Sequence, residues 1–306
     1  MAGMSTATVE AGARPRERGR SANAIATALR LRSKANGWAM VAILGCVILL
    51  FPLYWMVVSS LEPMSALLTP HLSIFPGLSQ LDGSVYTSTF HQYQMARWIL
   101  NSALVTVGTV CLTLLVSVPA GYSLSRLRSG PASTTAGIGF LISRAVPGTF
   151  LAIPFFVMAE RAHVLNTLWA VMLADSAVTV PFTAWLLRGF FDAVPFELEE
   201  AAALDGCGMT SALLRVVIPI ARPGIGAAGI YAAIGAWSDL LFSATLLMSP
   251  SHWTVTVGAV SMVTEQSVNW NGLMAAGVIS CVPLLAVFVL LEPYLVSGLS
   301  AGAVVG

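Results

Sequence analysis

The chain has 306 residues, of which 57% are hydrophobic and 9% charged, with a formal net charge of +1 and a mean hydropathy of +0.81. A soluble domain carries roughly 25% charged residues, so an ordinary soluble enzyme is excluded, and nothing in so weak a charge balance points to nucleic acid. The expected fold class is an all-α integral membrane protein.

Residues 1–36 are rich in Ala, Arg and Ser and are expected to form a disordered basic tail. The tail holds Arg14, Arg16, Arg18, Arg20, Arg30, Arg32 and Lys34, nearly half of the 15 Lys and Arg residues. This bias predicts a cytoplasmic N-terminus. The apolar run that follows, Trp38 to Val58, exceeds the 7–15 residues of a signal-peptide core, so it is read as a retained span.

A bilayer core near 30 Å thick is crossed by about 20 apolar helical residues. The chain offers about six such runs, at 37–60, 98–123, 134–159, 165–187, 217–247 and 273–296. Pro52, Pro119, Pro147, Pro154, Pro181 and Pro283 fall inside them, as expected of kinked helices whose freed backbone groups are satisfied by neighbours. Arg126, Arg128, Arg188, Arg215 and Arg222 fall in connections on the N-terminal side of the membrane, whereas Arg97 and Arg161 fall on the other. The connections 61–97 and 248–272 are therefore expected to be extracytoplasmic, and the last residues, 297–306, to form a cytoplasmic tail.

Among the charges within the predicted spans, Arg144, Asp175 and Asp239 lie farthest from the span ends, and a charge at the centre of a span costs roughly 2.5–3.5 kcal/mol to insert. Arg144 is a candidate for lining a translocation path or for a packing or partner-subunit salt bridge. Asp175 reads as half of a buried hydrogen-bonded pair or as a solute contact, and Asp239 as a bend or helix contact or as a ligand contact. His71, His91, His163 and His252 lie near or beyond the predicted outer ends, and Lys34 is the only lysine, which excludes a Gly-x-x-x-x-Gly-Lys phosphate loop. Cys46, Cys111, Cys207 and Cys281 are too scattered for a disulfide framework or a zinc cluster. No catalytic or metal site is expected.

Between the fourth and fifth spans, Pro195 to Pro223 reads PFELEEAAALDGCGMTSALLRVVIPIARP. Glu197, Glu199 and Glu200 complement a helix N-terminus, Ala201 to Leu204 continue the helix, and Asp205-Gly206 stops it with a residue able to take positive φ. A second short helix is predicted over about Thr210–Val217, ending before Pro219. An amphipathic, acid-fronted segment between apolar runs reads as a docking surface, or more plainly as a capped surface helix.

The same stretch resembles the EAA loop of ABC-importer permeases, carried by Glu200-Ala201-Ala202, Asp205-Gly206 and Ile218-Pro219. The resemblance extends over most of the chain and is closest to the MalG-like branch of carbohydrate importers. Its further carriers are Asn101-Ser102, Ala120 to Arg128, Pro181 to Phe191, Trp237-Ser238-Asp239, Trp270 and the stretch from Tyr294 to Gly306. Ser238 stands where that family often has asparagine, and Glu292-Pro293 where it commonly has Gln-Arg.

The resemblance implies a permease domain over 37–296 whose cytoplasmic coupling-helix loop, 188–217, enters a cleft of a partner ATPase. Glu197, Glu199, Glu200, Ala201, Ala202, Asp205, Gly206, Ile218 and Pro219 are the implied coupling residues. The implied partners are a second related permease, two ATPase subunits holding ATP and magnesium, an extracytoplasmic solute-binding protein and membrane lipid. Glu265, Asn269, Trp270 and Asn271 are candidates for meeting the binding protein, with an interfacial anchor as the plainer role of Trp270. A sugar or oligosaccharide is the implied solute in the plasma or inner membrane. A polyol, glycerol phosphate or polyamine permease, a self-contained carrier and a membrane scaffold are the alternatives.

Overall fold

A computed structural model describes residues 16–63, 76–77, 81–126, 139, 142, 146–263 and 268–302, and the chain divides into two units, Met1–Trp55 and Met56–Gly306. Helix α1, Arg16–Leu61, begins in the first unit and ends in the second. It starts within the stretch expected to be a disordered tail, because that stretch is built from Ala, Leu and Arg, which are among the strongest helix formers. Residues 1–15 lie outside the described residues.

The second unit contains α2 (Ser84–Gln92), α3 (Met95–Arg126), α4 (Gly148–Arg161), α5 (Leu168–Asp192), α6 (Glu197–Leu204) and α7 (Met209–Ala212). A π-helical turn, Leu213–Val217, leads into α8 (Ile218–Ile220), α9 (Arg222–Trp237), α10 (Leu241–Leu246), α11 (Val255–Val260) and α12 (Trp270–Gly302). The only extended pairing among the described residues is an isolated bridge, Val263 with Val268.

Among the described residues, three helices are long and apolar enough to cross a membrane: Ala39–Leu61, Met95–Arg126 and Leu168–Asp192. A fourth crossing results if Met209–Ile220 and Arg222–Trp237, bent by 82°, form one span. The continuous fifth span expected over 217–247 is instead broken twice. Pro223 sits in the first turn of α9, where its missing N–H costs nothing, and a second break at Ser238–Leu240 separates α9 from α10. The expected third span is described as helix from Gly148, with Pro147 as its extended N-cap rather than an internal kink, and most of 134–145 lies outside the described residues. Helix α12 passes the expected boundary at 296 and continues to Gly302.

The centre of the unit is the α3–α5 pair. Thr109, Thr113, Ser117 and Gly121 recur every four residues on α3 and all are buried, so they line one face of the helix. Small and hydroxyl side chains on such a face let two backbones approach closely. Ser176 Oγ donates to Thr109 O at 3.4 Å, and a Cβ at Gly121 would meet Ala184 O at 2.8 Å and Leu187 Cβ at 3.0 Å. Both contacts advance in the same direction along the two chains, so α3 and α5 run parallel, with α4 between them in sequence. On α5, hydroxyls return to carbonyls four residues back, Ser176 to Met172 at 2.6 Å and Thr179 to Asp175 at 2.6 Å, which satisfies them without solvent, whereas the hydroxyls of Thr109, Thr113 and Ser117 on α3 have no hydrogen-bond partner among the described residues.

Apolar clusters flank this pair. One gathers Tyr122, Leu187, Phe191, Val217 and Ala228 at the α6 end, and another gathers Met95, Trp98, Trp237, Val255 and Ala276 at the opposite end. There the first turns of α3 hold the 250–255 segment by hydrogen bonds. Trp98 Nε1 donates to Pro250 O at 2.9 Å, Asn101 Nδ2 to Ser251 O and Trp253 O at 3.0 and 2.9 Å, and Val255 N to Ser102 Oγ at 2.8 Å. Asp239 crosses the second helix break: its carboxylate accepts from Phe242 N at 3.1 Å and Ser243 N at 2.8 Å, satisfying the orphan donors at the start of α10. Asp82 does the same for α2, and its bonds to the Ser84 N–H and hydroxyl hold its carboxyl below the usual carboxylate value.

Two outcomes follow from this packing. Gly121→Val should separate α3 from α5 and destabilise the membrane-inserted fold by about 1–3 kcal/mol, as overpacking does, measured as a lower unfolding midpoint in detergent. Asp239→Ala should cost about 0.5–2 kcal/mol through loss of the α10 cap, while Asp239→Asn, which keeps an acceptor, should recover most of it in the same assay.

Candidate functional site

The acid-fronted segment leaves the end of α5 through Ala193 and Val194. Phe196 is the N-cap of α6, and its carbonyl accepts from Glu199 N at 2.9 Å and Glu200 N at 3.1 Å. The helix stops after two turns by a left-handed cap: Gly206 has φ +84°, Gly206 N donates to Ala203 O at 3.0 Å and Cys207 N to Ala202 O at 2.9 Å. This paired pattern needs a residue without a Cβ clash at the turn. The chain then re-enters helix at α7, passes the π-helical turn, and reaches Ile218 and Pro219 in α8, with the proline in the first turn.

The three α6 carboxylates have different surroundings. Glu197 and Glu200 are exposed, whereas Glu199 and Ala202, three residues apart and hence on one face, are buried. Ala201 and Asp205 face outward with the exposed carboxylates. Beside them stand exposed apolar side chains: Leu204 is 90% exposed, Met209 64% and Leu214 59%. The free surface is thus an apolar ridge rimmed by Glu197, Glu200 and Asp205.

Beneath the ridge lies a charge cluster. Glu199 pairs with the Arg126 guanidinium, accepting from Nε at 2.7 Å and ion-pairing with Nη2, and Tyr122 Oη donates to Glu199 Oε2 at 2.5 Å. Arg126 Nη1 also donates to Phe191 O at 3.2 Å and Nη2 to Val194 O at 3.5 Å. Ser125 Oγ donates to Asp192 Oδ1 at 2.6 Å, and Arg188 stands 3.5 Å from the same carboxylate. A cleft of about 370 Å³ opens over the cluster, lined by Tyr122, Arg126, Phe196, Glu199 and Met209 among others.

The structure therefore brings Glu197, Glu199, Glu200, Ala201, Ala202, Asp205 and Gly206 together in one helix and its cap, and puts Ile218 and Pro219 beyond a π-helical turn. Sequence reasoning missed the site role of Tyr122 and Arg126, which had entered only within the Ala120 to Arg128 resemblance and, for Arg126, as a marker of sidedness. Their signal was a four-residue spacing that puts both on one helical face.

The other candidates separate. Arg144 and Glu265 lie outside the described residues. Asp175 is buried in α5, with Oδ2 without a hydrogen-bond partner among the described residues, while the Asp239 carboxylate is occupied by the α10 cap. Asn269 starts α12, its Oδ1 accepting from Gly272 N at 3.0 Å, and Trp270 is 44% exposed. Asn271 differs from the expected surface contact: it is buried, and its Nδ2 donates to Ser59 O at 3.4 Å and also to Glu62 O, because the first turn of α12 packs on the end of α1. The four cysteines are free.

A family model described as "Binding-protein-dependent transport system inner membrane component" matches residues 117–300. The chain is 30% identical over 271 residues to the diacetylchitobiose uptake system permease protein DasC of Streptomyces coelicolor, covering 89% of this chain and 96% of that one. It is also 30% identical over 285 residues to the sulfoquinovosyl glycerol transport system permease protein SmoH of Agrobacterium fabrum, covering 92% and 99%. The fold matches a chain of a bacterial ABC transporter involved in import of the acidic polysaccharide alginate, with a TM-score of 0.71 at 22% identity over 87% of this chain and 96% of that one. With its α3–α5 core, its capped acid-fronted segment and these likenesses, the chain belongs to the family of inner membrane components of binding-protein-dependent transport systems.

Proposed function

We propose that this protein is the permease subunit of an ATP-driven importer and passes a sugar or oligosaccharide delivered by a solute-binding protein. The observation that carries the docking part of this reading is the free face of α6: an apolar ridge rimmed by carboxylates, stopped by a glycine turn, on a family permease. The saccharide-linked names of the diacetylchitobiose and sulfoquinovosyl glycerol relatives support the solute class.

In this reading α6 to α8 face the cytoplasm and rest on an ATPase, which binds ATP and magnesium in place of this chain. A second permease completes the translocation path, and a second ATPase completes the nucleotide-driven pair. Closure of that pair carries the segment with it and reorients the attached helices. The two states must contact the ATPase differently, since nucleotide shifts an equilibrium only by its differential affinity for them. The N- and C-termini are cytoplasmic, and the 248–272 connection meets the loaded binding protein through Trp270 and Asn269. Asp175 is the membrane-embedded candidate for contact with solute hydroxyls, because one of its buried oxygens has no partner among the described residues.

The test is ATP hydrolysis and uptake by the reconstituted complex, with the binding protein loaded with whichever member of a disaccharide panel stimulates most. Gly206→Pro is incompatible with φ +84°, because proline is locked near −65° and has no N–H to give to Ala203. It should lower stimulated hydrolysis and uptake by at least about tenfold, roughly 1.4 kcal/mol of lost coupling, with the subunit still inserted. Unchanged coupled uptake would refute the docking role.

A further inference from the structure

The docking reading leaves open how a two-turn helix with most of one side uncovered passes a displacement to the membrane helices. A helix this short has little stability of its own, and it follows α5 through a short connection, Ala193 to Phe196. Such a connection alone would allow α6 to pivot about its backbone bonds. The side chains beneath it restrict that freedom.

We infer that Arg126 is a positioning residue that locks α6 to the ends of α3 and α5, so that the three move as one body when the docking surface is pulled. The inference rests on the docking role proposed above. One guanidinium joins three elements: it belongs to the last turn of α3, holds the Glu199 carboxylate of α6, and donates to Phe191 O and Val194 O at and just beyond the end of α5. Its carbon also lies 5.9 Å from the centroid of the Phe196 ring at the start of α6. Both Glu199 oxygens are committed, one to Arg126 and the other to Tyr122, so the carboxylate cannot rotate without breaking a charge-assisted bond. Ser125 with Asp192 ties the ends of α3 and α5 a second time, and Arg188, one turn back on α5, pairs with the same carboxylate.

The guanidinium suits this task because its donors form a rigid planar fork, and such paired contacts fix orientation as well as distance. A lysine would keep the charge and lose the fork. The exposed ridge of Leu204, Met209 and Glu200 does not touch Arg126 by any hydrogen bond or ion pair in the structure, so loss of the lock should leave the docking surface present while loosening its attachment. On its far side the segment leaves through the π-helical turn and the 82° bend into α9, and such π-helical turns are frequent at functional sites. The lock therefore lies on the side of the segment from which rigid transmission is required.

The experiment uses the full reconstituted complex of both permeases, the ATPases and the binding protein. In a background with the four cysteines replaced by serine, spin labels are placed at exposed Leu198 on α6, which is not one of the ridge residues, and at exposed Val107 on α3. Distance distributions are compared between nucleotide-free complex and complex trapped with Mg-ATP and vanadate. With Arg126 intact the distribution should stay the same in both states. Arg126→Lys and Glu199→Gln should each shift it on trapping and roughly double its width, as loss of the charge-assisted guanidinium fork predicts, and the double variant should do no more than either single one. Tyr122→Phe removes only the phenolic donor and should broaden it less; if the charge variants fail to insert, this variant decides. Wild-type distributions in the inserted variants would overturn the lock. Loss of ATPase co-purification in Gly206→Pro, with the lock variants still binding, separates failure of the lock from failure of the docking role, which would appear as no ATPase contact with the segment at all.

Discussion

Close approach of α3 and α5 is the constraint on which the rest of the unit depends. Lipid is as apolar as the side chains it would solvate, so membrane helices associate through packing and local polar contacts rather than through expulsion of water. The stripe Thr109, Thr113, Ser117 and Gly121 supplies that packing by having almost nothing to keep apart. Because the two helices run parallel, their last turns finish side by side, and Tyr122, Ser125 and Arg126 stand opposite Phe191, Asp192 and Val194. The charge cluster under α6 can form only there.

The two ends of this pair do different work. At one end, Trp98, Asn101 and Ser102 secure the 250–255 segment by bonds to its backbone, a rigid arrangement that uses neutral donors and acceptors. At the other end the ties are charged, with Arg126 and Glu199 at the centre. A charged pair removed from water is strong evidence of placement but weak evidence of net stability, since desolvation offsets much of its attraction. Its value here is orientation: a planar fork holds a short helix whose own hydrogen bonds would not fix its direction.

Polar groups within the apolar interior are met in different ways. Ser176 and Thr179 bond back along their own helix, and Asp239 covers exposed donors of α10 at a helix break. Thr109, Thr113 and Ser117 leave their hydroxyls without a hydrogen-bond partner among the described residues, and so does one oxygen of Asp175, the carboxylate of that set. Asn271, which by its neighbours in sequence belonged to a surface cluster, is used instead to fasten α12 to the end of α1.

Composition and hydropathy by themselves determined that the protein is helical and membrane-embedded, because an apolar run of sufficient length has no other stable setting. The α6 helix and its stop were equally legible, since Glu197 to Glu200, the alanine run and Asp205-Gly206 act through local backbone preferences. Continuity of the fifth predicted span was misread, because hydropathy is blind to a break that a proline and an aspartate can cap. The start of α1 at Arg16 was missed for a related reason: low apolar content argues against burial, not against helix. Tertiary structure alone decided which of the three α6 carboxylates is buried, and that Arg126 rather than another cation holds it. Those pairings join residues more than seventy positions apart, and only the parallel packing of α3 on α5, a long-range property with no local signature, brings them within hydrogen-bond reach.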